Sequence, residues 1–205
     1  KSASKPCLQV MLPVSTVQME YMYHYKDAKM LGKIEELCIA AKEKCESVEF
    51  VAMDATRADT EFVVSACYTA MENGATAVTI CDDAGVSLPA EFAEIVKAVK
   101  AKCDIPVYVQ VSDAISMAVA CAVEAISNGA DGVKIAMSGN DTLLADKFAD
   151  IINARGESIG ITCDLLTTEI HRDIAVMMKK INTEHETQSA DKENTADSIC
   201  LDADS

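Results

Sequence analysis

The chain has 205 residues, half of them apolar and a quarter charged. This globular balance excludes a wholly disordered or collagen-like protein, and the length favours one domain plus a tail. A formal net charge of −15 repels phosphate backbones, so we expect no nucleic acid among the partners. The apolar runs are too short to cross a bilayer, which excludes a membrane-spanning role.

The nine cysteines are scattered and form no Cys-x-x-Cys pair. This distribution favours reduced, buried thiols and a cytoplasmic location over a disulfide or zinc framework. The sequence begins at Lys1 without a methionine or a signal-peptide pattern, so we expect a piece of a longer polypeptide.

Short β-branched runs recur along the chain, and each is followed by a stretch with helical spacing. We predict strands at 8–14, 48–52, 77–81, 106–111, 132–136 and 158–162. Between and after them we predict helices at 59–72, 89–102, 113–127 and 166–181. The third and fifth strands each follow an Asn-Gly pair, at Asn73 and Asn128, which is typical of a helix end.

Several of these strands are apolar without alternation, so we expect them to be covered on both faces in a parallel sheet. A run of such units closes into a (β/α) barrel at eight strands and about 250 residues. The sequence therefore predicts a partial TIM-barrel-type α/β domain over 1–182, with about six of the eight strands. Residues 183–205 hold seven acids and one lysine, which favours a disordered acidic tail or linker.

Polar residues follow the strands, where ligands bind in parallel β/α folds. As a candidate substrate-binding rim we take the polar residues Ser15, Gln18, Thr56, Gln110, Ser112, Ser138 and Asn140. The catalytic candidates are Asp54, Arg57, Asp82, Asp83 and Asp113. Asp82, Asp83 and Asp113 could hold a divalent metal such as magnesium, although capping of helix N-termini is the competing interpretation for Asp59, Asp113 and Asp141.

Histidine is scarce: of His24, His171 and His185, none follows a predicted strand of the repeating set. A histidine-ligated metal is therefore not supported by the residues. The aromatic stretch from Tyr21 to Tyr25 is a candidate lid or oligomer contact, with ordinary packing as the alternative.

Two stretches resemble a known family. Residues 48–59 run V-E-F-V-A-M-D-A-T-R-A-D, and residues 74–92 run G-A-T-A-V-T-I-C-D-D-A-G-V-S-L-P-A-E-F. They are similar to the catalytic barrel of the 2-isopropylmalate synthase and homocitrate synthase family, in the pyruvate carboxyltransferase or HMG-CoA-lyase-like superfamily. The resemblance implies a TIM barrel that condenses an acyl-CoA with a 2-oxo acid on a divalent metal.

The same resemblance implies that the family's chemical residues are replaced. Its two metal-binding histidines fall at Gln110 and Ser112, and its serine-aspartate-x-histidine becomes the segment from Ser15 to Gln18. Met53 stands for its glutamate and Asp83 for the threonine of D-T-x-G. Its first-strand D-G-x-R motif lies outside this sequence. Retained are Asp54, Thr56, Arg57, Asp82, Gly85 and Pro89.

We therefore expect a pseudoenzyme that acts by binding or oligomerisation, with no certain cofactor. The first alternative is an active condensing enzyme, an acyltransferase of 2-oxo acids and acyl-CoA with a rebuilt magnesium-carboxylate site. The second is a subunit or fragment that completes a barrel with a missing N-terminal segment or another copy. An open set of six strands would leave two raw sheet edges, which favours such pairing.

Overall fold

The computed structural model describes residues 3–161 and 166–181. The chain divides into two units, Lys1–Thr162 and Cys163–Ser205. The predicted acidic tail lies outside the described residues, and the predicted boundary between domain and tail stays a prediction.

The first unit contains a five-stranded parallel sheet with strand order β1-β2-β3-β4-β5. The strands are β1 Cys7–Pro13, β2 Ser47–Met53, β3 Ala77–Asp82, β4 Val107–Val111 and β5 Gly132–Lys134. Neighbours in sequence are neighbours in the sheet, and every pair is parallel. A doubly wound sheet would reverse its strand order, so this sequential order confirms a barrel-type arrangement.

Helices alternate with the strands. After β1 come a short helical turn, α1 (Thr16–Gln18), and a π-helical turn at Met19–Tyr23, followed by α2 (Asp27–Lys42). The remaining helices of this unit are α3 (Thr60–Glu72), α4 (Pro89–Lys100), α5 (Ala118–Ser127) and α6 (Ala145–Arg155). In the second unit, residues 167–181 form one helix, which confirms the predicted last helix.

The core lies between the helices and one face of the sheet. Because side chains alternate along a strand, one face of β2 carries Val48, Phe50 and Ala52, all without solvent exposure. Phe50 and Phe92 of α4 are among the largest fully buried side chains, each worth about 2–3 kcal/mol of hydrophobic stabilisation.

The predicted sixth strand at 158–162 is wrong over its described residues. Gly156–Ile159 is a 3₁₀ turn, and Gly160 follows in the left-handed region with φ of 70°. Glycine adopts this conformation without a Cβ penalty, and it breaks the extended run that the β-branched residues suggested. The described sheet therefore has five strands.

None of the described helices is both long and apolar enough to span a bilayer.

Candidate functional site

The carboxyl ends of the first three strands hold a compact polar cluster, which we call the acidic cluster: Ser15, Asp54, Thr56, Arg57, Asp82 and Asp83. It brings together six of the predicted site residues. Asp54 follows β2 with φ of 58°, a left-handed conformation that aspartate tolerates better than most residues.

Asp54 is fully buried, and the protein satisfies both of its carboxylate oxygens. Arg57 donates from Nε to Oδ1 at 2.7 Å and from Nη2 to Oδ2 at 2.8 Å. Ser15 Oγ donates a short hydrogen bond to Oδ2. Hydrogen bonding to Asp54 raises the pKa of Arg57. Asp54 is therefore held as a buried ion-pair partner.

Asp82 is 1% exposed and organises the loop between β3 and α4. Its Oδ1 accepts from Thr56 Oγ1 at 2.7 Å and from the Gly85 amide at 3.1 Å, while Oδ2 accepts from the Ser87 amide at 3.2 Å. Three internal donors leave this carboxylate in a structural role.

Asp83 is half-buried beside these two carboxylates. Its Oδ2 accepts from the Asp54 amide at 2.7 Å. Burial raises the pKa of Asp83, and the negative charges of Asp54 and Asp82 raise it further.

The helix-capping interpretation holds for two of the three aspartates. Asp59 accepts from the Phe62 amide at 3.1 Å at the start of α3, and Asp113 accepts from the Ala118 amide at 2.8 Å at the start of α5. It is wrong for Asp141, because α6 begins after Leu144 without a side-chain cap.

Of the remaining rim candidates, Gln18 meets the acidic cluster through its backbone amide, which donates to Ser15 Oγ at 3.3 Å. Gln110 and Ser112 line a separate cavity near the carboxyl ends of β4 and β5. Gln18 Oε1 is buried and meets no hydrogen-bond partner among the described residues. Ser138 is half-buried and Asn140 exposed, and both lie in the loop between β5 and α6.

A second polar group lies on the face of the sheet opposite to the one that carries Phe50, and we call this face the inner face. The sequence analysis did not predict this group. Glu49 Oε1 pairs with Lys134 Nζ at 2.5 Å and accepts from Thr79 Oγ1, while Oε2 accepts from Gln9 Nε2 at 2.6 Å. Burial alone would raise the pKa of Glu49, but the hydrogen bonds from Lys134, Thr79 and Gln9 outweigh it and lower the pKa. The sequence signal that could have predicted this group is a single acidic residue, Glu49, inside the apolar run of β2.

Cys81 also lies on this inner face, where it is 1% exposed. Burial, followed by the charge of Asp83, raises its pKa to about 12. A thiol that stays protonated at neutral pH is a poor nucleophile.

A sequentially ordered parallel sheet with polar clusters at the carboxyl ends of its strands defines a TIM-barrel-type β/α domain. The chain belongs to the HMGL-like family, whose model matches residues 1–143.

Two curated relatives show the similarity in sequence. The chain is 27% identical over 185 residues to 2-isopropylmalate synthase of Clostridium kluyveri, an alignment covering 86% of this chain and 36% of that protein. It is 35% identical over 143 residues to 2-isopropylmalate synthase of Listeria monocytogenes, covering 68% of this chain and 28% of that one. The chain thus spans about a third of the length of these relatives.

Solved structures agree on the fold. HMG-CoA lyase of Bacillus subtilis superposes with a TM-score of 0.68 at 13% identity, over 86% of this chain and 63% of that one. The carboxyl transferase domain of Rhizobium etli pyruvate carboxylase gives a TM-score of 0.56 at 19% identity, over 68% of this chain and 25% of that one.

The divalent metal implied by the family does not fit the residues that the structure describes at the strand ends. The resemblance aligns Gln110 and Ser112 with the family's histidines, and neither side chain is a good ligand for a transition metal. Within residues 3–161 and 166–181, no group of three or more His, Cys, Asp or Glu side chains could hold a metal ion.

Proposed function

We propose that this chain is a non-catalytic member of the HMGL-like family that acts through binding or oligomerisation. The observation that carries the proposal is the use of the carboxylates. The carboxylate of Asp54 accepts hydrogen bonds from Ser15 and Arg57. The carboxylate of Asp82 accepts from Thr56 and from loop amides. Both carboxylates therefore stabilise the fold.

The contrast between retained and replaced positions supports the same proposal. Asp54, Asp82 and Gly85, which match the family, hold loops in place. Gln110 and Ser112, which replace its metal ligands, occupy the neighbouring cavity. Loss of function without selection would not spare the first group and change the second, so the fold has been kept for another use.

Condensation of acetyl-CoA with 2-oxoisovalerate tests the proposal. Released CoA is measured by chromatography, because the chain's own cysteines would react with a thiol reagent. We expect no release above background with magnesium, manganese or zinc, and no calorimetric heat on titration with these metals.

The matched variant is Gln110→His together with Ser112→His, which restores the implied ligand pair. We expect it to bind zinc at least about tenfold more tightly than the parent chain, a gain of about 1.4 kcal/mol. Metal-dependent CoA release by the parent chain, lost in Asp83→Asn, would overturn the proposal in favour of the active enzyme with a magnesium site.

Oligomerisation and a cytoplasmic location are further parts of the proposal. Tyr21 and Met22 in the turn after β1 are 86% and 54% exposed, which suits a contact between copies. Seven cysteines among the described residues are free thiols, which suits a reducing compartment.

A further inference from the structure

The two edges of the described sheet are built differently. β5, at one edge, is three residues long, and its Lys134 pairs with Glu49 on the inner face. The segment after β5 is already paired, because the Ala136 amide donates to the Leu143 carbonyl at 2.9 Å and the Ala145 amide donates to the Ala136 carbonyl at 2.9 Å. A short strand, an inward charge and a covering loop are three ways in which proteins protect a sheet edge from pairing.

β1, at the other edge, lacks these three protections. It has seven residues, and none of them is charged, although the chain carries a net charge of −15. Within the described part of the chain it pairs with β2 alone. Leu8 is 40% exposed on one face of the strand, and Met11 is 50% exposed on the other. A long, uncharged edge with exposed apolar side chains is suited to pairing with another strand.

The register with β2 identifies the backbone groups that face the open edge. Pro13 is the register partner of Met53, and the Val14 amide donates to the Met53 carbonyl at 3.0 Å. In a parallel ladder this pattern repeats every two residues, so the backbone groups of the even-numbered residues of β1 face β2. The amides and carbonyls of Gln9 and Met11 therefore face the open edge.

Two copies of β1 are complementary to each other across a two-fold axis. When they run antiparallel with Val10 beside Val10 of the second copy, the full strands overlap and Gln9 lies opposite Met11. These two residues direct both backbone groups outward, so they form a hydrogen-bonded pair. Leu8 lies beside Leu12 of the second copy on the opposite face, and no charged residues of the two strands meet. This self-complementarity is what a two-fold interface requires.

We propose that β1 is the interface of a homodimer in which two copies join their sheets edge to edge. The inference rests on the proposed function, since it specifies how a chain that acts through oligomerisation associates. A second copy is favoured over a charged partner strand, because β1 offers no charge with which such a strand could pair. Main-chain hydrogen bonds carry the association, which separates it from a contact through the exposed side chains of Tyr21 and Met22.

Sedimentation equilibrium over a series of protein concentrations, in the presence of a thiol reductant, tests the proposal. We expect the mass to rise from one chain to two and no further, because a two-fold interface is closed. The dissociation constant should fall at least about threefold between about 0.05 M and about 0.5 M NaCl, since salt screens the repulsion between two acidic chains. A mass of one chain at every concentration, growth beyond two chains, or association that weakens with salt would overturn the proposal.

The variant Met11→Pro locates the interface. It removes an amide that faces the open edge and leaves the hydrogen bonds with β2 in place, and proline is tolerated in edge strands in this orientation. We expect it to weaken dimerisation at least about tenfold. Met11→Thr is the matched control, because it also removes exposed apolar surface but keeps the amide, and it should stay within about threefold of the parent chain. Equal weakening by the two variants, or no weakening by Met11→Pro, contradicts pairing through the edge.

Two further variants keep the test decisive. Met11→Lys places like charges close together at the edge, so unchanged dimerisation in this variant, when Met11→Pro does not fold, overturns the interface. Dimerisation that is lost in Tyr21→Ser but kept in Met11→Pro overturns it in favour of the turn after β1. The condensation assay is independent: a monomeric chain with no CoA release removes only this inference, whereas metal-dependent CoA release removes the proposed function.

Discussion

Asp83 lies next to Asp54 and Asp82 and has a pKa raised first by burial and then by these neighbouring charges. A raised folded-state pKa means that the folded chain binds more protons than the unfolded chain above the ordinary carboxyl pKa. The contribution of Asp83 to stability therefore falls as the pH rises through its folded pKa. At neutral pH this carboxylate destabilises the fold.

Asp83→Asn should therefore stabilise the chain at neutral pH. An asparagine oxygen still accepts from the Asp54 amide, so only the charge is lost. We expect a gain of about 0.5 kcal/mol at pH 7 after discounting for solvent screening, measured by urea unfolding. The gain should disappear as the pH falls below the ordinary carboxyl value of 3.8, where the aspartate is neutral as well.

Glu46→Gln is the matched control, because it removes one negative charge at an exposed position. It should change the free energy of unfolding little at either pH. A gain as large as that of Asp83→Asn would attribute the effect to the net charge of −15 and not to the cluster.

The acidic cluster shows how far residue-level prediction reaches. Parallel strands bring their carboxyl ends to one edge, so topology alone predicts that Asp54 and Asp82 meet. Their hydrogen-bond partners depend on loop geometry that the sequence does not specify. The ion pair between Glu49 and Lys134 joins two strands through residues 85 positions apart in the sequence. No local sequence pattern predicts such a pair.

At the scale of elements, strand positions were predictable because β-branched runs recur with the length of one β/α unit. β2 differs from its prediction by a single residue at each end. The failure at 158–162 arose because Ile159 and Ile161 flank Gly160, and a short apolar run cannot by itself distinguish a strand from a turn.

The loop between β3 and α4 depends on a glycine for a reason that substitution can measure. Gly85 has φ of 65°, and an added Cβ would lie 2.8 Å from the Ala114 backbone nitrogen and 2.9 Å from the Ser112 carbonyl carbon. Gly160 has a similar φ of 70°, with nothing within 4 Å of an added Cβ. The two glycines share the left-handed strain and differ in the backbone contact.

We expect Gly160→Ala to cost about 1–2 kcal/mol, from the left-handed conformation alone. Gly85→Ala should cost about 3 kcal/mol or more, because the backbone contact adds an overpacking cost. Gly32→Ala, at an exposed position of α2 with open space around it, should instead stabilise by about 0.5–1 kcal/mol. Urea unfolding compares the three variants, and equal losses at Gly85 and Gly160 would show that the loop moves aside.

At the scale of the whole molecule, the sheet has two edges in the described part of the chain. β1 pairs with β2 alone and β5 pairs with β4 alone. Unpaired backbone groups along an edge are a template for another strand. The subunit interpretation, in which another segment or copy completes the barrel, concerns these two edges.

Hydrogen exchange distinguishes an open sheet from a completed one. In a parallel edge strand, alternate amides point away from the paired neighbour, whereas both sets are bonded in a central strand. For the chain alone we expect slow exchange throughout β3 and an alternating fast and slow pattern in β1, followed residue by residue by NMR. β5, with three half-buried residues, should exchange fastest of the three strands.

Protection that rises with protein concentration would identify another copy as the cover of these edges. If the outward amides of β1 exchange as slowly as those of β3 at every concentration, the edge is already covered within one chain and the subunit interpretation fails. If the alternation persists at every concentration, copies of the chain do not pair through β1, and completion by another copy at this edge fails. The pattern of exchange in β1 thus separates self-association from completion by another segment.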